Sequence, residues 1–239
     1  MQQEDRQQPD NQTRLSAIIP AFNESEGMGG VLTVLRQVPE LYEIIVVDDG
    51  STDDTAKITR QAAIQDPRIR LIQQPINQGK GQAIFTGVST TQAQFLLLLD
   101  ADLMNLKPQH IKDLIKPVIT GHVDMSLGLF RSGHLNTDLS HWATPWLSGQ
   151  RCLNVDLLQD IDVQAASGYG FETALTISAH QQHARTQAVF MTGVWHPPSE
   201  FHRGLLKGIW QRAHMYSHIL RAWRTAKRSQ YRLKQAKNS

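Results

Sequence analysis

Two rhythms of apolar and polar positions alternate along the first half of the chain. Leu15–Pro20, Ile44–Val47, Ile69–Ile72 and Phe95–Leu99 are short apolar stretches with few interruptions. Such runs, bounded by turn residues, predict strands buried on both faces of a sheet. Between them the apolar residues recur every three or four positions. Val31, Leu32, Val34, Leu35 and Val38 predict one helix, and Ala83, Ile84 and Val88 another. Ile111, Leu114 and Ile115 predict a third, opened by Pro108. Asn23 with Glu26 three residues on predicts a capping box at the first helix. Further on, Val123–Phe130 and Thr186–His196 read as strands, and Asn154–Gln159 and Gly168–Gln182 as helices. Residues 131–147, with His134, His141, Trp142 and Trp146, read as a long loop, either a functional lid or a disordered segment. Strands alternating with helices predict an α/β domain with a mostly parallel sheet and right-handed crossovers.

Composition narrows the class. The chain has 239 residues and 40% apolar content, enough for one core with an appendage. A single cysteine, Cys152, excludes an internal disulfide and fits a reducing, cytoplasmic compartment. No signal peptide is recognised, and residues 1–13 read as a disordered polar segment. No apolar run approaches the roughly 20 residues that a membrane-spanning helix needs. Net charge is +2, but its distribution is uneven. After Glu200 the chain has ten Lys/Arg and no Asp or Glu; the first 200 residues hold the other 14 basic groups against all 22 acidic ones. Body and tail therefore have different tasks.

The tail, residues 201–239, reads as a basic amphipathic helix, with Leu206, Ile209, Trp210, Ala213, Tyr216, Ile219, Leu220 and Trp223 at spacings of three and four. Two readings stand side by side: a helix lying on an anionic membrane surface, which makes the protein peripheral, and a helix packed on the domain. Nucleic-acid binding is not expected, because the body is acidic and no nucleic-acid motif occurs.

The chemistry gathers where the strands end. Asp100 and Asp102 stand at alternate positions after the Phe95 strand, so they point the same way. Asn23 and Glu24 follow the first strand, and Asp48 and Asp49 the second. Parallel strands bring their carboxyl ends to one edge, which is where open α/β sheets bind ligands. One acidic strand end is unremarkable; three on one edge make a site. Hard carboxylate oxygens suit Mg²⁺ or Mn²⁺. Asn77-Gln78-Gly79-Lys80-Gly81 adds backbone that can approach a phosphate closely, and a cation, although the P-loop spacing is missing.

Four motifs in this order, Ile-Ile-Pro-Ala-Phe-Asn-Glu (18–24), Val-Val-Asp-Asp-Gly-Ser-Thr-Asp (46–53), Asn-Gln-Gly-Lys-Gly (77–81) and Leu-Asp-Ala-Asp (99–102), resemble the family 2 glycosyltransferases of GT-A fold. The resemblance covers roughly residues 14–130 and implies a single Rossmann-like domain over residues 14–200. It implies a metal-dependent transferase that moves a sugar from a UDP- or GDP-linked donor to a hydroxyl or phosphate acceptor. Carried over residue by residue, it assigns Pro20, Ala21, Asn23, Glu24, Asp49 and Asp100 to the nucleotide, with Lys80 beside them, and Asp102 to the metal.

In the second half, Arg151 reads by itself as a surface charge, Glu172 as a helix-dipole partner and His196 as a structural histidine. The resemblance implies instead that Arg151 holds an acceptor phosphate or the product diphosphate, that Glu172 orients the acceptor or acts as base, and that His196 ligates the metal. The Glu-Asp pair usual in many inverting relatives is Glu172-Thr173 here, which leaves inversion and retention both open. The chain also shows similarity to polyprenyl-phosphate sugar transferases and to the retaining synthases of glucosyl-phosphoglycerate. A lipid-linked acceptor and a small phosphorylated one are thus both expected. The remaining rivals are a nucleotidyltransferase, which normally has a Gly-rich basic loop where Pro20–Glu24 stands, and a non-catalytic nucleotide-sugar-binding domain.

Overall fold

The computed structural model describes residues 14–131, 148–159, 161 and 170–197. Its seven strands are β1 (Leu15–Ala21), β2 (Glu43–Asp48), β3 (Ile69–Gln73), β4 (Phe95–Leu98), β5 (Met125–Arg131), β6 (Arg151–Asn154) and β7 (Thr186–Thr192). The helices are α1 (Ser25–Leu35), α2 (Thr55–Gln65), α3 (Lys80–Val88), α4 (Pro108–Ile119) and α5 (Gly170–Gln181), with a 3₁₀ turn at Val155–Leu158. One sheet runs in the order β3-β2-β1-β4-β6-β5-β7. β6 pairs antiparallel with both β4 and β5, and every other pairing is parallel. The expected α/β class with a mostly parallel sheet is therefore what forms.

The unbroken apolar runs follow from burial on both faces. Along β1 and β2 successive side chains alternate between two cores. Ala17, Ile19, Ile44 and Val46 face α1 and α4, through Met28, Leu32, Ile111 and Leu114. Ile18, Ile45 and Val47 face α3 and α5, through Ala83, Ile84, Phe171 and Leu175. Phe85 and Phe171 meet edge to face at 5.7 Å and join α3 to α5. α2 buries only Thr55 and Thr59, with Ile58, Ala62 and Ala63 partly covered.

Three local expectations change. The capping box at Asn23 does not form: α1 begins at Ser25, and the preceding residue, Glu24, makes no side-chain cap. Asn23 adopts φ 58 and its Oδ1 accepts from the Thr52 amide at 2.8 Å, while Asp53 Oδ2 accepts from the Ser25 amide at 3.0 Å. The helix start is thus capped from the next loop. The helix expected at Asn154–Gln159 is the end of β6 and a 3₁₀ turn, because Leu96 and Met125 offer Leu153 partners on both sides. The last strand stops at Thr192, four residues short of His196.

Residues 1–13 and 201–239, and most of the 131–147 loop with its histidines and tryptophans, lie outside the described residues. Among the described residues no helix is long and apolar enough to cross a membrane.

Candidate active site

β1 and β4 are neighbours although β2 and β3 intervene in sequence, so the sheet order reverses between them. The crevice beyond strand ends at such a reversal is where open α/β sheets bind ligands. Asn23 and Glu24 leave β1 there, and Asp100 and Asp102 leave β4. β6 runs the other way, so its beginning, not its end, reaches this edge. Leu98 pairs with Arg151, which brings Gly149 and Gln150 alongside Asp100.

Five ionisable side chains meet at this edge. Lys80, the first residue of α3, places Nζ 2.7 Å from Asp100 Oδ1 and 2.7 Å from Glu172 Oε1. Glu172 lies in the first turn of α5 and is 4% exposed. Its Oε2 is buried and finds no hydrogen-bond partner among the described residues. Gln150 Nε2 donates to Asp100 Oδ2 at 2.6 Å. His196 Nδ1 lies 2.8 Å from Asp102 Oδ1, and its Nε2 3.6 Å from Asp100 Oδ2. One ligand atom from each of Asp100, Asp102 and His196 falls within 4.8 Å of the others.

Two backbone features bring His196 and Asp102 together. Met104 and Trp195 exchange main-chain hydrogen bonds at 2.9 and 3.3 Å, and Asn105 Nδ2 donates to the Gly193 carbonyl at 3.0 Å. The segment after β7 is thereby tied to the segment after β4. From the other side, α1 passes so close that a Cβ on Gly27 would sit 2.6 Å from the Ala101 oxygen and from Asp102 Cα. Only glycine fits there without moving backbone.

Charge and burial oppose each other here. Burial penalises the Asp100 carboxylate, but Lys80 and His196 outweigh it and hold its pKa at about 2. Burial likewise works against the Lys80 ammonium, and the Asp100 and Glu172 carboxylates outweigh it and push its pKa up. His196 is also shifted upward: desolvation opposes the charged ring, and the contacts with Asp102 and Asp100 prevail.

Arg151 is not a surface charge. It is 1% exposed, with Nε donating to the Ser148 carbonyl at 2.8 Å and Nη1 to Thr176 Oγ1 at 3.0 Å. Burial lowers its pKa to about 10, against the pull of the Glu172 charge. Its guanidinium is thus enclosed within the fold, close enough to Glu172 for the two charges to interact.

The loops after β1 and β2 are joined by neutral hydrogen bonds. The Asn23 amide donates to Ser51 Oγ and the Glu24 amide to Thr55 Oγ1, both at 2.9 Å. Asp49 is 2% exposed and accepts from the Gln78 and Gly79 amides at 2.7 and 2.8 Å. It thereby fixes the turn that delivers Lys80. Pro20 and Ala21 are buried in β1. Asp100, assigned by resemblance to the nucleotide, stands in the same group as Asp102 and His196. Gln150 carries no local signal of its place here, because that place depends on β6 being a reversed strand.

A family model described as "Glycosyl transferase family 2" matches residues 16–176. The chain belongs to glycosyl transferase family 2. The matched residues run from β1 into α5 and leave out His196. Among curated relatives, a dolichyl-phosphate beta-glucosyltransferase of Trichomonas vaginalis is 42% identical over 94 residues, 36% of this chain and 28% of that one. An undecaprenyl-phosphate 4-deoxy-4-formamido-L-arabinose transferase of Photorhabdus laumondii is 36% identical over 115 residues, 46% of this chain and 35% of that one. The matches thus span about a third of these relatives' length. Among solved structures, glucosyl-3-phosphoglycerate synthase from Mycobacterium tuberculosis, crystallised with Mn²⁺, UDP-glucose and phosphoglyceric acid, superposes with TM-score 0.70 at 24% identity. That superposition covers 88% of this chain and 80% of the other, and shows a shared fold.

The donor set fits a divalent cation. Two carboxylates are hard ligands for Mg²⁺ or Mn²⁺, and the imidazole is a ligand that transition metals accept more readily than Mg²⁺ does.

Proposed function

We propose that the chain is a metal-dependent glycosyltransferase that takes a sugar from a nucleoside-diphosphate sugar to an acceptor bearing a phosphate. The observation that carries this reading is the convergence of Asp100, Asp102 and His196 within 4.8 Å at the reversal of the sheet, beside Lys80 and Glu172. Asp100, Asp102 and His196 would hold Mn²⁺ or Mg²⁺, and when bound the cation supplies charge stabilisation for the leaving diphosphate. Lys80 adds a positive charge at the same edge and can pass from the carboxylates to the diphosphate. Asn23, Glu24 and Asp49 line the neighbouring strand ends, where the nucleoside is held. Glu172, partly released when Lys80 turns to the diphosphate, orients the acceptor or takes its proton. Arg151, buried nearby, balances the Glu172 charge.

Both acceptor classes named among the similar proteins, polyprenyl phosphates and phosphoglycerate, carry a phosphate. A basic tail after Glu200 favours the lipid class, since each Lys/Arg near an anionic surface contributes about 1 kcal/mol. The test is transfer from radiolabelled UDP- and GDP-sugars by the full chain with Mn²⁺. Polyprenyl phosphate in anionic and in neutral vesicles forms one arm, and phosphoglycerate the other. Product in either arm identifies the acceptor, and Asp102→Asn should cut it to below about 1% of wild type, an effect of several kcal/mol. Wild-type turnover in that variant, or no transfer and no hydrolysis of any donor, overturns the reading.

A further inference from the structure

Gln150 is a buried polar side chain that no part of the mechanism above uses. It is 1% exposed, and its carboxamide contacts Asp100 Oδ2 at 2.6 Å. The amide must present its nitrogen there, since a carbonyl oxygen at that distance from an ionised carboxylate would be repelled. Its other end, Oε1, lies 3.3 Å from Ser148 Oγ. Ser148 is held in turn, its hydroxyl donating to the Gly128 carbonyl at 2.5 Å. Asp100 is therefore gripped at both oxygens, by Lys80 on Oδ1 and by Gln150 on Oδ2. The two grips differ in kind. Lys80 is a cation on a flexible stem and has a second partner in Glu172. Gln150 is neutral, enclosed and anchored at the start of β6. The neighbouring residue makes this approach possible: a Cβ on Gly149 would lie 2.7 Å from Asp100 Oδ2 and 2.8 Å from Lys80 Nζ.

We infer that Gln150 is a positioning residue for the divalent cation: by clamping Asp100 Oδ2 it keeps that carboxylate turned toward Asp102 and His196, and so sets cation affinity. The inference rests on the metal reading of the previous section. A neutral donor suits this task better than a second lysine, because it orients the carboxylate without adding a charge that competes with the metal. Partners that orient metal ligands typically contribute 10- to 100-fold in affinity.

The test is titration of Mn²⁺ into the full chain, without donor, read by loss of the electron paramagnetic resonance signal of free Mn²⁺. Gln150→Met keeps the length and removes the donor. Gln150→Asn keeps a buried carboxamide but is one methylene too short to reach Asp100, and it serves should the methionine variant fail to fold. Asp102→Asn is the reference for loss of a ligand. We expect the Kd for Mn²⁺ to rise about tenfold or more in both Gln150 variants. A Kd within twofold of wild type, with only the melting temperature in EDTA lowered, overturns the inference and leaves a structural role. If Asp102→Asn weakens binding and the Gln150 variants do not, the metal site stands and the clamp falls. If wild type itself holds no Mn²⁺, the metal reading fails and this inference with it.

Discussion

The two halves of the site edge are built on different principles. On the β1–β2 side the loops are joined by hydrogen bonds from main-chain amides to side-chain oxygens: Thr52 to Asn23, Ser25 to Asp53, Gln78 and Gly79 to Asp49. On the β4–β6 side the contacts run between charged side chains, with Lys80 shared by Asp100 and Glu172, and His196 shared by Asp100 and Asp102. Main-chain donors satisfied within the fold have no reason to move when a ligand arrives. A lysine divided between two carboxylates does, because an incoming anion or cation competes directly for one of its partners. The first half is thus a fixed frame, and the second an electrostatic arrangement that, on the proposed function, donor and metal would redistribute.

Removing the shared lysine breaks the second half and leaves the first intact. Lys80→Met should reduce transfer about a hundredfold, the loss typical of one stabilising donor at a developing charge. In the same variant Mn²⁺ should bind severalfold more tightly, because an ammonium 2.7 Å from Asp100 no longer competes with it. Unchanged transfer together with unchanged Mn²⁺ affinity would show that Lys80 is only a structural counter-ion.

An intermediate effect is expected from the frame. Asp49→Ala leaves two amides, of Gln78 and Gly79, without their acceptor in a buried position. Stability should fall by about 1–3 kcal/mol, read by chemical denaturation. Affinity for the nucleotide should fall more than the rate of the chemical step, since on the proposed function Asp49 stands on the nucleoside side of the site, remote from the reacting sugar. A variant with normal stability and a selectively lower turnover number would place Asp49 in the charged half instead.

The smallest effect separates charge from site. Glu43 opens β2 at the opposite edge of the sheet, held by hydroxyls of Ser16 and Thr91 and by Arg70. Burial opposes its charge, but these partners prevail and lower its pKa below about 4.5. A carboxyl shifted downward stabilises the fold above its unfolded pKa, and that contribution is lost as the pH falls below about 4.5 and through the folded value. Glu43→Gln should therefore be less stable at pH 7 and show a flatter loss of stability on acidification, with metal binding unaffected. An equally steep acid profile in the variant would mean that other carboxylates dominate it.

Much of the frame was legible along the chain because its determinants are local. Apolar runs at 44–47 and 95–99, periodic apolar residues after them and polar strand ends are all set by nearest neighbours in sequence. The capping of α1 was misread for the opposite reason: Asn23 is a good helix cap by itself, but the Thr52 amide claims its oxygen from the adjacent loop. Arg151 was equally out of reach, since nothing in the four residues around it announces a buried guanidinium resting on Ser148 and Thr176.

By itself the sequence determined the α/β class, the edge at which chemistry gathers and the identity of Asp100, Asp102, Lys80, Glu172 and His196 as candidates. The class, the edge and the candidates Asp100, Asp102 and Lys80 follow from hydrophobic periodicity, strand polarity and turn residues, which act over a few residues, whereas Glu172 and His196 enter only through the family resemblance. Only the tertiary structure decided which candidates touch. The reversed strand β6, four residues long, delivers Gln150 to Asp100, and one pair of main-chain hydrogen bonds between Met104 and Trp195 brings His196 to Asp102 across more than ninety residues of chain. Such contacts depend on sheet order and on packing from both faces, and no local pattern encodes either.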